Sequence, residues 1–448
     1  MKRGSESPPR IRSAVVMGLG HHGGGAAAAR FLAEQGADVT ISDSASAVSL
    51  GASIESLREL PGLCWKVGGH DPEDFYAAEC VVVNPAVRPD HPCLQIARQA
   101  GARITSEIEL FLERCRAPVI GVTGSSGKSS TSTMLAAILA ASGCRTWLGG
   151  NIGVSLLPKL SEIGPNDWVV LELSSFQLAH LSDDCPGVEI AVVTNCAPNH
   201  LDWHLEYADY QAAKQRLIAG RIAATLAVLN FSDPVVAAWR GLATCEVIRP
   251  WPLEAIGPLQ VAGMHQRIDA ACAAAAAEAA LRRNGRSLDR QTVEAALARF
   301  AGLPHRLQRM PDAAGRRVFN DSKSTTAAAT SAAIEAVDGA WLLLGGRDKG
   351  ADFGALCAAI VRRTRGAAVY GAAREKLRQC IAAADGNFPL YATETMREAL
   401  EWSFAQSRPG EAILLSPACA SLDQFRDYVE RGEQFARTVA ALGLSRAE

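Results

Sequence analysis

PVIGVTGSSGKSSTST, residues 118–133, decides the fold. An apolar run (Val119, Ile120, Val122) breaks into a loop of Gly124, Ser125, Ser126 and Gly127. Lys128 follows and opens a hydroxyl-rich helix start, Ser129 to Thr133. A strand feeding a glycine turn at a helix N-terminus directs backbone N–H groups at an anion. The helix dipole and the Lys128 cation add to that attraction. The stretch predicts a phosphate site, with Ser129 placed to reach a magnesium ion. Gly121, Gly124 and Gly127 fall every third residue, whereas the usual P-loop separates its two motif glycines by four. A plain glycine–serine turn is the alternative, and the Gly-Lys-Ser ending argues against it.

The rest of the chain sets bounds on this reading. Its 448 residues exceed one compact core, so two to four domains are expected. Apolar content of 48% with few aromatics fits a globular, Ala-rich protein, and a net charge of −2 leaves no footprint for nucleic acid or an anionic membrane. The local run Arg362, Arg363 and Arg365 reads as a solvated helix end. Twelve cysteines stand singly with no C-x-x-C pair, which points to free thiols in a reducing cytoplasm rather than disulfides or zinc. No 18-residue apolar run and no signal-peptide pattern occur, so a cytoplasmic protein with neither membrane nor nucleic-acid partner is expected, and we expect a monomer. The first ten residues, polar and Pro-rich, are expected to be disordered.

Upstream, Ala14–Met17 reads as a strand running into Gly18-x-Gly20-x-x-Gly23, a helix, and a second strand ending at Asp43. This is a Rossmann-like start. Its glycines admit a close ligand, and Asp43 stands at the distance of a ribose partner. His21 and His22 sit in the turn. A third strand, Cys80–Val83, runs into Asn84-Pro85, and the unit ends near Arg114. Past the glycine loop, Glu172 lies inside the apolar run WVVLE, a costly position unless it is paired or holds a cation. IAVVTN (190–195) leads to NCAPNHLDWH, which puts His200 and Asp202 at a strand's C-terminal edge. Lys214 sits on an amphipathic helix, Ala224–Asn230 is read as the last strand there, and a long Ala-rich helix starts near Met264. In the final third, strands open into the loops bearing Asp321, Lys323, Lys349, Ser416 and Ser421, predicting a cationic, hydroxyl-bearing rim suited to a carboxylate.

GVTGSSGKSS, GGNIG, LELSSFQL, NHLDWH, YQAAK, GLPHR, NDSKST, LLLGGRDKGADF and LLSPACASLDQF follow one another in an order that resembles the Mur ligase family across nearly the whole chain. SSFQL, GLPHR and SPACASLDQF resemble the family's D-glutamate-adding member. The resemblance implies an α/β protein of three domains. An N-terminal Rossmann-like domain (1–112) would bind a UDP-sugar. A central P-loop-type ATPase domain with a mostly parallel sheet (113–303) would follow, then a C-terminal Rossmann-like domain (304–448) for the amino acid. It also implies a reaction. ATP phosphorylates the carboxylate of UDP-N-acetylmuramoyl-L-alanine, and the amine of D-glutamate attacks the acyl phosphate to give an amide, ADP and phosphate.

Carried onto this sequence, the resemblance makes Gly124, Ser125, Ser126, Gly127, Lys128, Ser129 and Ser130 the ATP phosphate site. Asp269, Arg306 and Asp321 would be further nucleotide contacts. Lys323 would touch ATP as the C-terminal domain closes, and Lys128, Lys214, His200 and Lys323 would be the catalytic set. Two Mg²⁺ sites would draw on Ser129, Glu172, His200 and Lys214, the last as a carbamate. Gly20, His21, His22, Asp43 and Ser44 would meet the uridine diphosphate, and Asn151, Ser174 and Gln177 the muramoyl–alanyl part. Thr325, Lys349, Ser421, Leu422 and Tyr428 would hold the glutamate. The chain departs from the family at four places. Ser125-Ser126 stand for Thr-Asn, and Asp269 ends a segment that usually reads His-Asn-x-x-Asn. Ala197-Pro198-Asn199 replace Thr-Glu-Asp/Asn, and Tyr428 replaces Phe. The stretch from Asn230 to Gly263 looks short, so one or two peripheral strands are expected to be missing. The alternatives are a relative with another amino acid such as L-glutamate, a folylpolyglutamate synthetase, an NAD-binding protein resting on Gly18–Gly23 and Asp43, and a catalytically silent nucleotide-binding regulator.

Overall fold

A computed structural model describes residues 10–20, 23–153, 155–261, 263–348 and 350–445. The predicted His21, His22 and Lys349 lie outside these. The chain divides into two compact units, Met1–Ile256 with Ile268–Ala296, and Gly257–Arg267 with Leu297–Glu448.

The first unit holds two parallel sheets. One comprises β1 (Ser13–Met17), β2 (Asp38–Asp43), β3 (Leu63–Val67), β4 (Cys80–Val83) and β5 (Arg103–Thr105), in the order β3-β2-β1-β4-β5. The other comprises β6 (Val119–Thr123), β7 (Thr146–Gly150), β8 (Trp168–Glu172), β9 (Ile190–Val193), β10 (Leu226–Leu229) and β11 (Glu246–Ile248), in the order β11-β10-β9-β6-β8-β7. Strands β4, β6, β8 and β9 are buried at every position. Parallel sheets covered by helices on both faces demand such unbroken apolar runs. One apolar core is continuous from Leu32 and Ile41 to Leu171 and Val193, and so joins the two sheets. In each sheet the chain reverses direction beside its first strand, β1 or β6, and the loop after that strand carries the glycines. Open α/β sheets bind ligands at this crevice.

The second unit holds β12 (Gln308–Ala313), β13 (Arg316–Asn320), β14 (Ala340–Gly345), β15 (Gly366–Tyr370), β16 (Leu390–Ala392) and β17 (Ala412–Ala418), in the order β12-β13-β17-β14-β15-β16. Only β12 runs antiparallel, as an edge strand against β13. The α/β architecture and the strand ends that carry the motifs agree with the sequence. Three details differ. β3 precedes Cys80–Val83, which is therefore the fourth strand. β7 was not anticipated. β11 follows β10, so Ala224–Asn230 does not contain the last strand of its sheet. All three are edge strands with half-buried residues, and their weak apolar signal follows from that place.

Candidate active site

Gly127, at φ 78°, is the N-cap of the helix Lys128–Ala141. A left-handed backbone there favours glycine, and a Cβ would also come 2.3 Å from Asp269 Oδ1. Gly124 is as constrained, since its Cβ would lie 1.9 Å from Thr194 Oγ1. The loop between them is pinned by residues that the sequence reading missed. Asn195 Oδ1 accepts from Ser126 N at 2.9 Å, Thr194 Oγ1 donates to Ser126 O at 2.6 Å, and Ser125 Oγ lies 2.8 Å from the Tyr210 hydroxyl. Asn195 ends an apolar run and Tyr210 stands one helical turn before Lys214, the two signals that could have found them.

Beneath the helix start, Ser129 Oγ donates to Glu172 Oε2 at 2.5 Å and Asn151 Nδ2 donates to Glu172 Oε1 at 2.7 Å. Glu172 is 1% exposed. Its bonded partners are neutral, while burying a carboxylate costs several kcal/mol. A carboxylate and a hydroxyl are hard oxygen donors, so this pair fits a magnesium ion. Among the described residues, no three His, Cys, Asp or Glu side chains come together as a metal cage. Lys214, 1% exposed, donates from Nζ to Gly124 O at 2.9 Å. The same carbonyl accepts from Lys128 Nζ at 2.9 Å. Burial, and then the neighbouring Lys128 charge, hold the Lys214 ammonium well below its ordinary pKa and favour the neutral amine. The Tyr210 ring lies 4.6 Å from Nζ.

His200 stands on a separate turn, left-handed at φ 56°, with its ring edge-on to Phe176 at 4.7 Å. Ser174 and Gln177 form a capping box on the helix Ser175–His180. Ser174 Oγ accepts from Gln177 N at 3.2 Å, and Gln177 Oε1 accepts from Ser174 N at 2.9 Å. In the first sheet, Asp43 accepts from Leu19 N and Ala45 N, both at 2.8 Å, and so fixes the glycine loop after β1. The side chain of Asn84 covers that loop: a Cβ on Gly20 would meet Asn84 Nδ2 at 2.6 Å. Ser44 lines a depression together with His70, Val87, Arg88 and His91.

In the second unit, Asp321 is buried and its pKa is pushed up to about 6, chiefly by burial. Ser416 donates to it at 2.8 Å. Ser416 belongs to β17 itself and lies inside the sheet rather than at a strand end, while Asp321 directly follows β13 as predicted but is buried rather than exposed on a rim. Lys323 Nζ sits 3.9 Å from the Tyr428 ring centre, a cation–π contact. Ser421 is buried, Thr325 is half-buried and Leu422 is exposed. Arg306 is half-buried beside His305, which has a left-handed backbone. Arg431, which no motif signalled, is fully buried and donates to Ser322 O at 2.7 Å and Cys419 O at 3.1 Å, tying together the loops after β13 and β17.

These features meet known proteins in both sequence and fold. The Mur ligase MurD-like N-terminal domain family matches residues 12–106, the Mur ligase middle domain family residues 122–251, and the Mur ligase glutamate ligase domain family residues 305–419. The chain is similar to the UDP-N-acetylmuramoylalanine–D-glutamate ligase of Geobacter metallireducens, with 34% identity covering 96% of this chain and 98% of that one. The protein of that name from Solibacter usitatus is likewise 34% identical, at the same coverage of 96% and 98%. In fold it is similar to the UDP-N-acetylmuramate–alanine ligase MurC of Thermotoga maritima, with TM-score 0.60, 18% identity, and 96% of this chain and 99% of that one covered. It is also similar to the MurF ligase of that organism in complex with ADP, with TM-score 0.57, 16% identity, and 82% and 90% covered.

Proposed function

The chain belongs to the Mur ligase family, and on that premise we propose that it joins D-glutamate to UDP-N-acetylmuramoyl-L-alanine, with conversion of ATP to ADP and phosphate, in peptidoglycan precursor synthesis. The observation that carries this reading is the convergence of Lys128, Ser129, Glu172 and Lys214 on one glycine loop at the switch point of the second sheet.

In the proposed reaction an alanyl carboxylate oxygen attacks the γ-phosphorus of ATP. ADP leaves with the bond's electrons and an acyl phosphate results. The D-glutamate amine then adds to the acyl carbon, loses a proton, and phosphate departs to leave an amide. Lys128 and the amides of the helix start offset the charge on the transferring phosphoryl group. Glu172 and Ser129 would hold a magnesium ion, which supplies further neutralisation of the triphosphate. The neutral amine of Lys214 is the form that adds carbon dioxide, so we assign it as a carbamate that would furnish an anionic ligand for a second magnesium ion. We assign the uridine diphosphate to the crevice of the first sheet at Gly20, Asp43 and Ser44. We assign D-glutamate to the second unit at Thr325, Ser421, Leu422 and Tyr428.

The test supplies ATP, Mg²⁺ and UDP-N-acetylmuramoyl-L-alanine with D-glutamate, L-glutamate or meso-diaminopimelate in turn, and measures phosphate release and product mass. The expected product forms with D-glutamate. Product with L-glutamate alone would refute the stereochemical assignment, and no product with any amino acid would sink the ligase reading.

A further inference from the structure

Two ring N–H groups of the central sheet's helices reach across to the N-terminal sheet. Trp203 Nε1 donates to Ala86 O at 3.0 Å and His180 Nε2 bonds Val87 O at 2.8 Å. A carbonyl only accepts, so the His180 ring carries its proton on Nε2. Ala86 and Val87 belong to the loop leaving β4, in which Asn84 covers the glycine turn and donates from Nδ2 to Gly18 O at 3.3 Å. Ala86, Val87 and Arg88 also line the depression that contains Ser44.

On the other side, the same two rings join the cluster that seats His200. Trp203 packs at 4.9 Å against Phe176, Phe176 packs at 4.7 Å against His200, and His180 lies 5.8 Å from Trp203. His204, on the same turn, stacks on Phe176 at 5.6 Å and bonds Ser175 Oγ at 2.9 Å. One rigid stack thus runs from the loop beside the N-terminal crevice to the turn bearing His200. Two directional bonds set its length.

We propose that His180 and Trp203 are positioning residues that fix the separation between the uridine-diphosphate crevice and the place where the alanyl carboxylate is phosphorylated. The proposal rests on the ligase reading above. A long substrate held at one end must present its carboxylate at the other, and an error of an ångström there is costly to rate. Neither residue needs to touch the reacting atoms.

The experiment compares Trp203→Phe, which keeps a ring and removes the N–H, with His180→Leu and with His180→Gln, which keeps an N–H donor. KM is measured for all three substrates, and amide hydrogen exchange is followed over residues 84–88. Trp203→Phe and His180→Leu are expected to raise KM for the UDP-sugar substrate about fivefold, the scale of one lost hydrogen bond. KM for ATP and D-glutamate should stay within about twofold, His180→Gln should resemble the parent, and exchange over 84–88 should quicken in the first two variants. An unchanged KM in variants that melt like the parent, or an equal rise for all three substrates, overturns the proposal. If the parent makes no product, the exchange arm still decides. Faster exchange in Trp203→Phe upholds the clamp while the ligase reading falls, and unchanged exchange overturns the clamp itself.

Discussion

The two glycine turns of the first unit share a left-handed glycine N-cap and differ in chemistry. Each follows the first strand of a parallel sheet, and each ends in a left-handed glycine N-cap, Gly23 at φ 79° and Gly127 at φ 78°. After Gly23 the helix opens with small apolar residues, GGAAAA, and no charge in its first turn. After Gly127 it opens with Lys128 and Ser129, backed by buried Glu172 and Lys214. The acid at the first turn's loop, Asp43, has both oxygens engaged by backbone N–H groups. Both turns present an anion-attracting helix N-terminus, and among the described residues the second adds a lysine, a hydroxyl and a buried carboxylate suited to stabilising phosphoryl transfer.

That contrast can be broken in order of expected effect. Lys128→Ala should lower kcat/KM by about three orders of magnitude or more while leaving binding of the UDP-sugar intact, measured by steady-state kinetics and calorimetric titration. Lys214→Met should cost about a hundredfold in kcat. In protein kept free of carbon dioxide, where Lys214 stays an unmodified amine, the substitution should also raise thermal stability at neutral pH. Burial depresses the folded pKa of Lys214 below its unfolded value of 10.5, so its penalty is absent above that pH and grows as pH falls toward the folded pKa. Parent stability should gain from this group as pH rises toward 10.5, and the Met variant should lack that gain. Gly127→Ala and Gly18→Ala each place a Cβ in a left-handed backbone, 2.3 Å from Asp269 Oδ1 and 2.8 Å from Asn84 Cβ respectively. Each should raise one KM about tenfold, for ATP in the first case and for the UDP-sugar in the second. Crossed effects would show that the two turns are not separate sites. Asp43→Asn replaces one acceptor with a donor facing an N–H and should shift KM for the UDP-sugar by only about fivefold.

The sequence exposed whatever was encoded by contrast with its surroundings. Glu172 was visible because a carboxylate inside WVVLE is anomalous, and the glycine loop because glycines stand between an apolar strand and Lys128. What stayed hidden depends on distant contacts. Asn195 and Thr194 are ordinary polar residues until the fold brings them onto Ser126. Asn84 reads as a loop exit until it lies across Gly18 and Gly20. Arg431 resembles any helix arginine, yet it is fully buried. Ser416 was expected on a rim because its run reads as a strand opening into a polar loop, while its position within β17 turns it inward onto Asp321. Short edge strands such as β3 and β11 pass unnoticed because none of their residues is fully buried. The segment from Asn230 to Gly263, which looked short, supplies β11 at the central sheet's edge.

The central claim is that the loop at Gly124–Ser129 is where a carboxylate is phosphorylated. It is tested most directly with UDP-N-acetylmuramoyl-L-alanine carrying ¹⁸O in both oxygens of its alanyl carboxylate, turned over with unlabelled ATP and D-glutamate. Through an acyl phosphate one carboxylate oxygen leaves with the phosphate, so the account predicts one ¹⁸O in each inorganic phosphate released. Unlabelled phosphate accompanying amide product would contradict it.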